Sequence, residues 1–296
     1  MTLAQLKNPE AIVTSDWLET HIHEPNLRIF DCTTTLVHEV NSPHPYRVVS
    51  GRKEFEIGHI PGSAYLDLQA DFSDSNSRWA MKLPTVAELT TAFELAGIGD
   101  NTRVILYSRN SVSWATRFWW MLRWLGFDNA AILEGGFNKW EKEGRMISIL
   151  ASHYLPGKLT VSPRTNIFVD REDVLSAIED KNTCIISALG PDVHSGENPR
   201  YGRPGRIPSS VNVPQVSLVN ADTLEFHPAI TIKKMFAAVC AETDKLIITY
   251  CGSGIFATVN AFLLYQLGYE NVTVYDNSMS EWGRDASLPI EMGSNQ

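Results

Sequence analysis

RVILYSRNSVSWATRFWWMLRWLGFDNAAILEGGFNKW, residues 103–140, is answered by KLIITYCGSGIFATVNAFLLYQLGYENVTVYDNSMSEW, residues 245–282. Each reads as an apolar run, a polar loop, an amphipathic run, a Leu-Gly-aromatic stop, a second apolar run, a loop and a Trp. Trp140 and Trp282 stand 142 residues apart, and so do Gly126 and Gly268. Upstream, GHIPGSAYLDL from Gly58 is echoed by GRIPSSVNVPQ from Gly205 at an offset of 147. A long period that occurs twice signals a duplicated domain, not a solenoid of short units.

Within each copy the pattern alternates. LRIF, RVILY and AAIL are short apolar runs suited to strands covered on both faces. Between them TVAELTTAFELAG places Val86, Leu89, Phe93 and Ala96 on one helical stripe, with Thr85 and Glu88 at capping-box spacing and Gly97 as a stop. Strands alternating with helices predict an α/β fold: two tandem domains, each a mostly parallel sheet with helices on both faces. The expected division is a first domain over 1–148, a linker over 149–165 that includes ASHYLPGKLTVSPRT (151–165), and a second domain over 166–296. The aromatic run RFWWMLRWLGF, with Trp119, Met121, Leu122 and Leu125 at helical spacing, reads as core rather than as a cofactor-stacking platform.

Composition narrows the function. At 296 residues and 44% hydrophobic content, each half can bury its own core. A net charge of −9 argues against a nucleic-acid partner, which needs clustered Lys and Arg. No apolar run approaches the roughly 18 residues of a membrane span, and MTLAQLKNPE shows no secretory signal. Cys32, Cys184, Cys240 and Cys251 form no CxxC pair, so neither a zinc site nor a dithiol couple is expected; scattered thiols fit a cytoplasmic protein. Cys184 in TCII and Cys240 after MFAAV read as small buried hydrophobes, and Cys32 reads as structural. No metal or cofactor is expected.

Cys251 is the exception. It ends an apolar run and is followed by Gly252, Ser253 and Gly254, before a helix expected over about 257–267. Ligands of parallel α/β sheets bind beyond the carboxyl ends of the strands. Glycines there allow a tight turn whose amides, with the positive end of the next helix, hold an anion. Such a site suits a sulfur that itself carries negative charge, such as a persulfide. In the first copy Ser108 stands where Cys251 stands, as expected if one copy alone is catalytic.

Together GHIPGS (58–63), FWWMLRWLGF (118–127), LEGGFNKW (133–140), YCGSGIFA (250–257) and VYDNSMSEW (274–282) resemble the tandem-domain sulfurtransferases, the rhodanese and 3-mercaptopyruvate sulfurtransferase family. The resemblance covers nearly the whole chain. It implies two similar rhodanese-like domains, the first non-catalytic. It implies a Cys251 persulfide that takes sulfane sulfur from a small anionic donor, thiosulfate or 3-mercaptopyruvate, and passes it to cyanide, a thiol or a protein acceptor. By the same resemblance the amides of Gly252, Ser253, Gly254, Ile255, Phe256 and Ala257 cradle the sulfur. Ser253 matches the serine of the mercaptopyruvate branch and is expected to help move a proton, and His59 matches a histidine proposed to work with it across the domain interface. For His59 a purely structural strand-entry role is the competing reading.

The chain departs from that family in two places. Val-Thr-Ala after the loop is Ile255-Phe256-Ala257, and the DAR that supplies a substrate arginine is replaced by Ser187, Ala188 and Leu189. His194, Arg203 and Arg206, with Arg200 beside them in RYGRPGRIP, are the basic groups expected to replace the lost contacts, unless that stretch is a solvated loop. These departures predict weak activity with mercaptopyruvate ahead of thiosulfate. They also leave a rival reading, a persulfide-binding or regulatory protein with negligible turnover. A Cys-x5-Arg phosphatase is excluded because the sixth residue after Cys251 is Ala257, which offers no guanidinium to clamp a phosphate.

Overall fold

The computed structural model describes residues 6–38, 45–239 and 243–293. Cys240 lies outside them. The first half carries strands β1 (Ile12–Val13), β2 (Leu27–Asp31), β3 (Thr34–Val37), β4 (Arg47–Ser50), β5 (Ser63–Tyr65), β6 (Arg103–Tyr107) and β7 (Ala130–Leu133). The second carries β8 (Phe168–Val169), β9 (Thr183–Ser187), β10 (Val211–Asn212), β11 (Leu246–Tyr250) and β12 (Val272–Tyr275). The sheets order as β1-β7-β6-β2-β5 and β8-β12-β11-β9-β10. Both five-stranded sheets are parallel throughout and share one topology, so the duplication read in the sequence is a duplication of fold. The antiparallel hairpin β3–β4 has no counterpart in the second half among the described residues.

Period-two alternation splits the central strand β6 between two cores. Val104 and Leu106 face one, and Ile105 and Tyr107 face the other, with all four fully buried. Helix Val86–Leu95 carries the expected capping box between Thr85 and Glu88, and Gly97 follows it at φ +90°. Leu89 and Phe93 are its buried residues.

Helix Ser113–Trp124 is the element on which the two halves join. An isolated amphipathic helix buries one stripe, but here Ser113 through Leu122 are all buried. One side packs on the first sheet, where Trp119 Nε1 donates to Ala130 O at 3.0 Å. The other meets helix Ala257–Gln266, where the Trp119 and Phe262 rings stand edge to face at 4.8 Å. Trp120 Nε1 reaches Ile167 O in the second half at 3.0 Å. The aromatic run is therefore core, and that core is continuous across both domains.

Residues 151–164 carry no helix or strand, yet they are strapped to the first domain rather than loose. Ser152 N donates to Ser63 O, Gly157 N to Glu94 O and Ser162 N to Leu125 O. No helix among the described residues is long and apolar enough to cross a membrane.

Candidate active site

Cys251 follows directly on β11 and is 1% exposed. Its amide donates to Ser278 Oγ at 3.0 Å, and that hydroxyl in turn donates to Tyr275 O at 2.7 Å. The carbonyls of the loop are tied outward: Cys251 O accepts from Met279 N at 3.0 Å and Gly252 O from Ser280 N at 2.8 Å. Gly254 O accepts from Arg117 Nη1 at 3.2 Å. In a trans peptide the N–H points opposite to the C=O, so these ties turn the next amides the other way. Among the described residues, none of the amides from Gly252 to Phe256 has a protein acceptor. Buried N–H groups are rarely left in this state, and a bound anion satisfies them. Helix Ala257–Gln266 starts on the same loop and adds its positive end.

Glycine is required at two points. Gly254 sits at φ +71°, and a Cβ there would stand 2.4 Å from Asp276 O. At Gly252 a Cβ would fall 2.1 Å from the Tyr201 hydroxyl, so the phenol packs directly on the loop.

Two tyrosines close the site. Tyr46, beside the β3–β4 hairpin, lies with its hydroxyl 3.5 Å from that of Ser280 and within hydrogen-bonding reach of Ser253. Burial pushes the Tyr46 phenol up, against the opposing effect of those two hydroxyls. Burial likewise pushes Tyr201 up, helped by Tyr46 and Cys251 and opposed by the Arg200 guanidinium, which reaches the Tyr201 hydroxyl. Both phenols therefore keep their protons at neutral pH and can donate. Arg284 acts electrostatically on Tyr46 and lines a cleft between the domains with Arg78, Trp79, Asp285 and Ala286.

The basic residues expected to contact substrate are engaged elsewhere. Arg203 donates to the carbonyls of Gly283, Leu288, Trp282 and Asp285 and so ties its segment to the chain after Trp282. Arg206 is 2% exposed and pairs with Glu291 and Gly293 O. His194 is buried beside them; burial, reinforced by the Arg206 charge, lowers its pKa to about 4, so it is neutral and a poor anion ligand. His59 is buried in the first domain, its Nδ1 donating to Phe55 O at 2.8 Å and its ring stacked on Phe55 at 4.0 Å. Its backbone pairs with Ser148. Leu189, at the position of the missing arginine, is buried. Of the predicted set, the structure gathers Cys251, Ser253 and the cradle around one point. It adds Tyr46, Tyr201, Arg200 and Arg284, of which Arg200 and Tyr201 stood in a stretch singled out by sequence, RYGRPGRIP, though only its basic residues were read as functional.

The first domain repeats the frame and fills it. Phe137 N donates to Ser108 O at 3.1 Å, as Met279 N does to Cys251 O. There, however, Ser108 Oγ bonds Ser111 O at 2.5 Å and Arg109 N bonds Thr33 Oγ1 at 3.1 Å. The Arg109 guanidinium lies 3.6 Å from the Phe137 ring centroid and pairs with Asp31. Of the other thiols, Cys32 is fully buried, and burial together with the Asp31 charge pushes it well above the usual thiol range. Cys184 is half-buried on β9, less enclosed than its apolar run implies.

Comparison with known proteins agrees with this geometry. The rhodanese-like domain model matches twice, over residues 14–143 and 170–285. The 3-mercaptopyruvate sulfurtransferase of Escherichia coli is 32% identical over 94% of this chain and 97% of its own length. The sulfur carrier protein TtuD of Thermus thermophilus is 29% identical over 97% of this chain and 98% of its own. The crystal structure of SseA, a 3-mercaptopyruvate enzyme from Escherichia coli, superposes with a TM-score of 0.77 at 29% identity, covering 90% of this chain and 98% of that one. With two matched copies, one shared topology and a cysteine at the corresponding strand end of the second, the chain belongs to the rhodanese-like domain family as a tandem, two-domain member.

Proposed function

We propose that the protein is a sulfurtransferase in which Cys251 carries sulfane sulfur as a persulfide. The observation that carries this reading is the buried cysteine inside a ring of backbone amides with no protein acceptor. The thiolate attacks the outer sulfur of a small anionic donor. With thiosulfate, the sulfur–sulfur bond of the donor breaks and sulfite leaves. With 3-mercaptopyruvate, the carbon–sulfur bond breaks and the pyruvate enolate leaves, taking up a proton. The persulfide then yields its outer sulfur to cyanide, a thiol or a protein acceptor, and the thiolate returns. The amides hold the negative sulfur throughout, by fixed dipoles that need no rearrangement.

Ser253 and Tyr46 supply the proton that the enolate requires, which favours 3-mercaptopyruvate over thiosulfate. Arg200 and Arg284 take over donor recognition from Arg203, Arg206 and His194, while His59 shapes the first domain. The thiols of Cys32 and Cys251, neither of them in a disulfide, suit a reducing, cytoplasmic setting. The buried Leu189 favours one second reading, a persulfide-binding protein with negligible turnover, because it removes the bidentate partner of a carboxylate.

Mass spectrometry after incubation with each donor, joined to a steady-state cyanide assay, tests both. One added sulfur atom on the parent and none on Cys251→Ser supports the carrier role. Uptake by Cys251→Ser equal to the parent's defeats it. Stoichiometric loading without thiocyanate turnover selects the second reading.

A further inference from the structure

Arg117 belongs to the first domain, on helix Ser113–Trp124, and is fully buried. Its Nη2 donates to Asp276 Oδ1 at 2.6 Å and to Met81 O at 3.0 Å, while Nη1 donates to Gly254 O at 3.2 Å. Asp276 follows β12 in the second domain, and its other oxygen accepts from Leu83 N at 2.9 Å. The guanidinium carbon also stands 5.1 Å from the Phe168 ring centroid. At the repeat offset of 142, Arg117 corresponds to Val259 and Asp276 to Glu134. The duplicated frame therefore contains this ion pair once, and it bears on the cysteine loop.

A buried ion pair is a weak source of stability, since dehydrating two charges offsets most of their attraction. What it does here is geometric. Of the three loop carbonyls tied outward, those of Cys251 and Gly252 are held by amides of the second domain, and that of Gly254 by a side chain of the first. Gly254 is also the loop residue in the left-handed region. Asp276 fixes the guanidinium from one side, and its own carbonyl packs where a Gly254 Cβ would be. Both the donor to Gly254 O and the backbone limit of the Gly254 turn thus come from one cross-domain unit.

We propose that Arg117, held by Asp276, is a positioning residue: it fixes the Gly254 peptide so that the Ile255 amide faces the Cys251 sulfur. The non-catalytic domain is then part of the cradle rather than a passive cover. The proposal rests on the reading of Cys251 as a sulfur carrier. Because Arg117 does not touch the donor, its loss slows sulfur loading at saturation and leaves donor affinity in place.

The test uses the full chain with Arg117→Met and Arg117→Lys, following persulfide mass after mixing with 3-mercaptopyruvate or thiosulfate over a range of concentrations. The expected result for Arg117→Met is a maximal loading rate lowered about tenfold or more, with half-saturation changed less than about twofold. Arg117→Lys, which keeps a charge for Asp276 and one donor, recovers part of the rate. A folded Arg117→Met that loads at the parental maximal rate overturns the proposal, as does a loss confined to half-saturation. If Arg117→Met does not fold, Arg117→Lys and Asp276→Asn carry the test, and parental rates in both overturn it. In the same samples, Cys251 alkylation by iodoacetate relative to iodoacetamide reports the preference of the cradle for an anion without any sulfur donor. That ratio is expected to fall in the Arg117 variants. A parent that takes up no sulfur defeats the carrier reading, and the alkylation ratio then decides the clamp alone.

Discussion

Thr116 and Thr258 meet hydroxyl to hydroxyl at 2.7 Å, and they are 142 residues apart. That separation is the offset of the repeat itself, so equivalent positions of the two copies touch each other. Contact between equivalents is what a twofold relation between two units produces, as in an isologous dimer. The duplicated domain thus packs on itself along helices Ser113–Trp124 and Ala257–Gln266, and each threonine also donates to or shares a carbonyl one turn back, Ser113 O or Ile255 O.

The Thr116–Thr258 contact should behave as one coupled unit. Replacing either residue by Val removes a buried hydroxyl and is expected to cost about 1 kcal/mol. Replacing both is expected to cost less than the sum of the singles, since no unmatched hydroxyl remains. Urea unfolding of the parent, both singles and the double variant gives the coupling directly, and strict additivity would refute it.

Gly254→Ala is expected to abolish sulfur loading while costing about 2 kcal/mol or more of stability. A residue with a Cβ at φ +71° pays the left-handed penalty, and this Cβ also collides with the backbone oxygen of Asp276 at 2.4 Å. Backbone cannot swing aside as a side chain can. Thermal unfolding and persulfide mass check the two halves of the expectation, and normal loading by a folded Gly254→Ala would contradict the cradle.

The arginines should separate by what they hold. Arg284→Gln and Arg200→Gln are each expected to raise KM for the anionic donor about tenfold, the cost of one charge-assisted contact, with little change in melting temperature. Arg203→Met is expected to do the reverse, because its guanidinium binds four backbone carbonyls of its own chain. Steady-state kinetics and thermal melts on all three decide the matter. A raised KM in Arg203→Met alone would return donor binding to that residue.

His194 predicts a pH dependence. Its folded pKa of about 4 lies below the ordinary 6.5, because burial and the Arg206 charge disfavour the imidazolium. The unfolded chain then binds the proton first, so stability is full above about pH 6.5 and is lost as pH falls towards 4. His194→Gln is expected to flatten that part of the stability curve. Urea midpoints at pH 7.5 and 5.0 for both proteins provide the check, and equal slopes would exclude the effect.

The sequence by itself determined what depends on near neighbours. Alternating apolar runs, the capping box at Thr85 and Glu88, and the two Leu-Gly stops fixed strands and helices, because backbone conformation answers to residues a few positions away. The repeat then made the shared topology visible, and the glycines around Cys251 announced a tight turn at a strand end. Even the Ser108–Cys251 contrast was legible, since it needs only the two strand ends, Tyr107-Ser108 and Tyr250-Cys251, to be set against each other. Tertiary structure alone decided which side chains surround that turn. Tyr46, Arg117 and Arg284 come from segments far apart in the chain and carry no local signal. Within RYGRPGRIP, Arg200 and Arg203 differ in nothing but position: packing turns the first to the Tyr201 hydroxyl and the second to four carbonyls after Trp282. A long flexible side chain goes where its charge finds a partner, and the partner is set by how two domains close on each other rather than by spacing along either.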